Sequence, residues 1–144
     1  MATKARLLVL ALAVACADPF PVPPLDRVVG TWGGDNAGLI GSDSTAHVHI
    51  GCTFGETGGP ILPDSLGRFD VAGLYNVDAY PVGPGTNHPA RFSGVVSGGR
   101  LTLTVTLTDT TRTLGPVSLT YGVEPRMGPC PICRPRVRAP SRRS

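Results

Sequence analysis

The chain has 144 residues, with 13 Lys plus Arg against 10 Asp plus Glu and a formal net charge of +3 at pH 7. One domain of ordinary size is what that length accommodates. Gly (19) and Pro (15) are both over-represented, a composition that excludes a coiled coil, a helical bundle, a collagen and a polytopic membrane protein.

The N-terminus reads as a targeting segment. Lys4 and Arg6 give a positive start, and an apolar run follows from Leu7 to Ala15. The run is too short for a bilayer span, which needs about 20 apolar residues, but it suits the core of a signal peptide. Ala13-Val14-Ala15-Cys16 resembles the lipobox of bacterial lipoprotein precursors, with Ala13 where that motif usually carries Leu. The resemblance implies a diacylglycerol thioether on the Cys16 sulfur and cleavage that makes Cys16 the mature N-terminus. The alternative is an A-x-A site at Ala15-Cys16-Ala17, which releases a soluble protein beginning at Asp18. Both readings place the mature chain outside the cytoplasm, in the cell envelope if anchored. Prolines 19, 21, 23 and 24 then favour an extended tether of about 3.1 Å per residue. The organisation expected is a signal peptide over 1–15, a lipidated cysteine and tether over 16–26, a β domain over 27–125 and a tail over 126–144.

Between the two ends Gly or Pro interrupts the chain every few residues, and no helix of useful length is predicted. A first short strand over 28–33 carries Trp32. Residues 45–54 alternate, with Val48, Ile50, Cys52 and Phe54 on one face. After a turn at Asp64-Ser65-Leu66-Gly67, residues 68–79 place Phe69, Val71 and Tyr75 together. The strongest strand signal starts at Arg100, where Leu101, Leu103, Val105 and Leu107 alternate with threonines. Gly98-Gly99 before it suits a two-residue hairpin turn, because both central positions need positive φ. Counting back from that turn opposes Val96 to Leu101, Gly94 to Leu103 and Phe92 to Val105, which puts the apolar residues of both strands on one face. Asp109 to Arg112 forms the next turn. Alternation resumes at Val117, Leu119 and Tyr121, with Gly115-Pro116 as a bulge that resets the phase. The fold expected is all-β: a small antiparallel meander or barrel of about six to eight strands, packed solid by its bulky inward residues, with disordered ends.

Cys16 is lipidated or removed, which leaves Cys52, Cys130 and Cys133. Outside the cytoplasm an odd number suggests one disulfide and one leftover thiol. Cys52 with Cys130 is the favoured pairing and Cys52 with Cys133 the alternative. Cys130-Pro131-Ile132-Cys133 is also a CxxC, but no helix N-terminus is predicted there to activate a thiol. A zinc site from the three cysteines with His47 or His49 has suitable ligand types; strand parity opposes it, since both histidines face away from Cys52.

Gly41 to His49 matches the G-x5-H-x-H opening of the cupin metal motif. His47 and His49, two residues apart on a strand, point the same way as a shared metal requires. Glu56 lies further along than the cupin glutamate, and nothing around His88 matches the second cupin motif. An exposed polar strand face explains the pair without any metal. Gly30-Thr31-Trp32 resembles the G-x-W that opens lipocalin and avidin barrels, which would make Trp32 the ligand-side plug of a calycin-like barrel. Trp32-Gly33-Gly34, Gly67-Arg68-Phe69, Pro89 to Gly94, Leu101 to Val105 and the late cysteine together resemble a group of small uncharacterised bacterial lipoproteins. That resemblance spans about residues 30–133, supports the anchor and implies no activity.

No nucleophile elbow, P-loop or dinucleotide glycine motif occurs, and the acids are scattered singly in loops. The function expected is therefore a cell-envelope lipoprotein whose barrel binds or scaffolds without catalysing and without a cofactor. A calycin-like ligand barrel is the first alternative, and a cupin-like metal-dependent protein using His47 and His49 is the second. The membrane is the expected partner through the lipid. The charge divides unevenly: five arginines face ten acids over 18–125, whereas the tail from 126 has six arginines and no acid. A solvated, disordered extension accounts for such a tail, and contact with an anionic surface is the alternative; with no aromatic interleaved, nucleic acid is not expected.

Overall fold

The computed structural model describes residues 26–78 and 85–130. The signal peptide, the Cys16 lipidation site, the proline tether, Cys133 and the arginine tail beyond 130 lie outside the described residues. Eight strands follow one another as an antiparallel meander that closes on itself: β1 (Gly30–Gly34), β2 (Ala37–Gly41), β3 (Ala46–Ile50), β4 (Thr53–Thr57), β5 (Arg68–Asn76), β6 (Asn87–Ser97), β7 (Arg100–Leu107) and β8 (Thr113–Tyr121). Closure leaves no free sheet edge.

The hairpin between β6 and β7 has the register that alternation and the Gly-Gly turn require. Val96 faces Leu101, Gly94 faces Leu103 and Phe92 faces Val105, and Gly98 and Gly99 have φ of 54° and 77°. The register shift between β7 and β8 falls at the expected bulge. Leu103 pairs with Val117 and Val105 with Leu114, so Gly115 and Pro116 together oppose Thr104; the peptide bond between them is cis. The Asp64–Gly67 turn is closed by the Gly67 N–H donating to the Asp64 carbonyl at 2.8 Å.

Two elements differ from expectation. The stretch over 45–54 is not one strand but two, β3 and β4, turning at Gly51-Cys52. In a two-residue hairpin Ile50 faces Thr53 and His49 faces Phe54, so the inward parity switches across the turn. Cys52 therefore sits in the turn and not on a core face, and Phe54 joins the histidines on the outside. Second, β2 pairs with β1 through the turn Asp35-Asn36, where Asn36 adopts φ 53°. Asn tolerates that left-handed geometry better than most residues, and the dipeptide between Gly34 and Ala37 is the signal for this hairpin.

The interior is occupied by side chains. Trp32, Tyr75, Phe92, Leu39, Leu101, Leu103 and Leu119 are at most 1% exposed. Trp32 lies edge-on to Tyr121, with ring centroids 5.1 Å apart, and its Nε1–H donates to the Val29 carbonyl at 3.0 Å. Tyr75 has room because Gly55 faces it across the β4–β5 pair; a Cβ at Gly55 would overlap the ring. The Thr53 hydroxyl donates to the Ile50 carbonyl at 2.7 Å and lies 2.9 Å from the Tyr75 oxygen, so the phenol donates to Thr53. Burial holds the Tyr75 phenol above its ordinary pKa. The outer face is mixed: Arg68, Asp70 and Arg91 are exposed there beside Ile40, Leu74 and Val95, and Arg91 pairs with Asp70 at 2.9 Å. Such charges do not suit the lipid-facing band of a transmembrane barrel.

Candidate functional site

After β8 the chain crosses back over the outside of the barrel as a strap. The Gly122 N–H donates to the Thr31 carbonyl at 2.8 Å and the Arg126 N–H to that of Gly34 at 3.0 Å; the Asn36 N–H returns a bond to Arg126 at 2.9 Å. The Arg126 side chain pairs with Asp35 at 2.7 Å. Gly33 and Gly38, paired on β1 and β2, lie beneath the strap, and a Cβ on either would overlap Val123, Glu124 or Pro125. Cys130 ends the described strap in a disulfide to Cys52 in the β3–β4 turn, with Cα atoms 5.5 Å apart. That is the pairing favoured from sequence. It commits Cys130 and Cys52 to each other, which leaves no zinc site that draws on both thiolates. A CxxC disulfide through Cys130 is likewise excluded in this state. The boundary drawn at 125/126 falls inside the strap.

The strap forms one wall of a groove on the outer face of β2 and β3. Pro125 and Met127 stand on one side, Ile40, His47 and His49 on the other, and Gly38 and Leu39 complete a space of about 140 Å³. His47 also borders a neighbouring hollow of about 150 Å³ lined by Phe54, Gly55, Glu56, Leu74 and Asn87. Register explains the grouping. Ile40, His47, Glu56 and Leu74 form one cross-strand row, and Gly38, His49 and Phe54 the next, all pointing outward because their neighbours Leu39, Val48 and Gly55 point in.

His47 and His49 are brought into direct contact. Their Nε2 atoms are 3.0 Å apart, their ring centroids 4.9 Å, and Phe54 packs against both. In the neutral pair one Nε2–H donates to the lone pair of the other. Burial, and then the charge of His47, hold the His49 pKa below its ordinary value. Glu56, directly opposite His47, accepts from the Thr45 hydroxyl at 3.0 Å. Among the described residues no three of His, Cys, Asp and Glu gather closely enough to enclose a metal. Trp32 is away from this groove, inside the barrel. His88 on β6 pairs with Asp109 of the β7–β8 turn at 2.8 Å and plays no part here.

The alternation of His47 and His49 showed that they share a face. It did not show that Phe54 joins them, that Ile40 stands beside them or that a strap walls them in. Compared with protein-family models, with curated proteins and with solved structures, the chain gives no significant match.

Proposed function

We propose that this chain is a cell-envelope lipoprotein, anchored through Cys16, whose barrel acts as a binding or scaffold domain through its outer surface and does not catalyse a reaction. The observation that carries the reading is the set of bulky side chains turned into the barrel among the described residues. With Trp32, Tyr75 and Phe92 fully buried and packed among leucines, the surface left for recognition is the outside. There the groove beside the strap lies on an apolar patch with Ile40 and Leu74 exposed in one cross-strand row, apart from the Arg91–Asp70 pair. The lipobox-like Ala13 to Cys16 and the proline run behind it support an anchor that holds the domain clear of a bilayer. Replacing Cys16 with Ser tests the anchor. The full chain is expected in the membrane fraction and the C16S chain in the soluble fraction; unchanged fractionation overturns the anchored reading.

One feature favours a second reading. A closed eight-stranded meander with a tryptophan on its first strand is also the architecture of a calycin-like ligand barrel. Titration with an apolar fluorescent probe separates the two. A solid interior gives no saturable quenching of Trp32, the only tryptophan; stoichiometric quenching would establish a ligand chamber and displace the outer-surface reading.

A further inference from the structure

We propose that His47 and His49 form a two-imidazole site for a divalent copper ion on the outer face of β3. The inference rests on the outer surface being the working surface, and it names the chemistry of one ligand for it.

Three observations lead there. The first is convergence. Two ring nitrogens on one strand approach to 3.0 Å, and two metal–nitrogen bonds of about 2.0–2.1 Å at roughly a right angle span about 2.9 Å. The separation is therefore the bite of a chelating pair: the ring that donates shifts its proton from Nε2 to Nδ1, and both Nε2 lone pairs are then free for a cation. The second is the surroundings. Ile40, Pro125 and Met127 border the groove, and Phe54 packs against both rings. The third is the number of donors. No further His, Cys, Asp or Glu joins the pair among the described residues, so the protein supplies two nitrogens and leaves the other positions to water. A structural zinc site wants four protein ligands, and a calcium or magnesium site wants oxygens. Copper(II) accepts a tetragonal arrangement with two cis imidazoles and stands highest among the divalent ions for nitrogen donors. The groove lies outside the barrel, and its two histidines are not among the core side chains.

The test uses the untagged full chain carrying Cys16→Ser and Cys133→Ser, so that no free thiol reduces the ion. Copper(II) is added alone and followed by its paramagnetic resonance spectrum and by competition with a chelator of known affinity. One ion per chain is expected, with hyperfine structure from two imidazole nitrogens. His47→Ala or His49→Ala should each weaken binding by about a hundredfold, because either loses the benefit of two linked donors. Zinc under the same conditions should bind at least about tenfold more weakly. Copper binding that survives the double variant His47→Ala/His49→Ala overturns the proposal, as does a one-nitrogen spectrum or zinc binding as tight as copper. If an alanine variant fails to fold, the nitrogen count in the parent chain decides alone. The probe titration beside Trp32 reads the interior and the copper titration reads this groove, so either reading can fail without the other.

Discussion

The ring of Pro125 rests on Gly38, in the space that a side chain at that position would occupy. Gly33 provides the same clearance one strand over, and together they let the strap lie close enough for its hydrogen bonds to Thr31 and Gly34. Gly38→Val should lift the strap and lower stability by roughly 1–3 kcal/mol, in the range of an overpacked contact. Urea unfolding measures this. An unchanged midpoint would show that the strap is not held at Pro125.

The Cys52–Cys130 bond closes a sequence separation of 78 residues. A cross-link over a loop of that size contributes about 4 kcal/mol on chain-entropy grounds and less if the reduced state keeps structure. Cys52→Ser and Cys130→Ser should each lower stability by a similar amount, and reductant should change neither variant further. Non-reducing peptide mapping should recover the peptides containing Cys52 and Cys130 joined. A bond from Cys52 to Cys133 would refute the assignment.

Trp32 fills one part of the interior against Leu39 and Tyr121. Trp32→Ala removes the largest buried side chain and should cost about 3–5 kcal/mol. Trp32→Phe, which keeps a ring against Tyr121, should cost less. Equal losses in the two variants would mean that the indole hydrogen bond to Val29 matters more than the volume.

Asp64 organises the turn before β5. Its Oδ1 accepts from the Leu66 and Arg68 N–H groups, each at 2.9 Å, and Oδ2 accepts from the Arg68 guanidinium at 2.9 Å. The backbone bond from Arg68 and then its side chain hold this carboxyl below the usual value of 3.8. A carboxyl with a depressed folded pKa contributes stability that is present above its unfolded pKa and is lost as pH falls through the folded one. Asp64→Asn should therefore lower the urea midpoint at neutral pH, with the difference from the parent chain shrinking in acid below 3.8. A difference that stays constant into strong acid would locate the effect in hydrogen-bond geometry and not in charge.

Much of the barrel was legible where two signals agreed. Between Phe92 and Val105, period-two alternation and a Gly-Gly turn demand the same register, and the structure has it. Gly115-Pro116 was legible as a bulge because the apolar phase changes across it. The reading failed where a tight turn hides inside apparent alternation. Val48, Ile50, Cys52 and Phe54 keep a perfect period of two, yet the chain reverses at Gly51-Cys52. A two-residue reversal exchanges the faces, so Phe54 moved from the core to the histidines. β2 escaped because Ala37-Gly38-Leu39-Ile40-Gly41 is short, glycine-rich and weak in strand propensity; its place is set by pairing with both neighbours and by the strap above it. The candidate groove was half visible. His47 and His49 belong to one local pattern, whereas Pro125 and Met127 reach them only through the tertiary path of the strap.

The barrel closes where β1 meets β8, through Trp32 with Tyr121 and Gly33 with Thr120. These partners stand at opposite ends of the described chain, so the seam cannot form until the chain has been made through β8. During synthesis β1 waits as an unpaired edge while seven further strands are added. Contacts this distant in sequence carry a high loop-closure cost and slow the final step of folding. The first and eighth strands are thus a timing element: the barrel commits to its shape last, at the seam they form together.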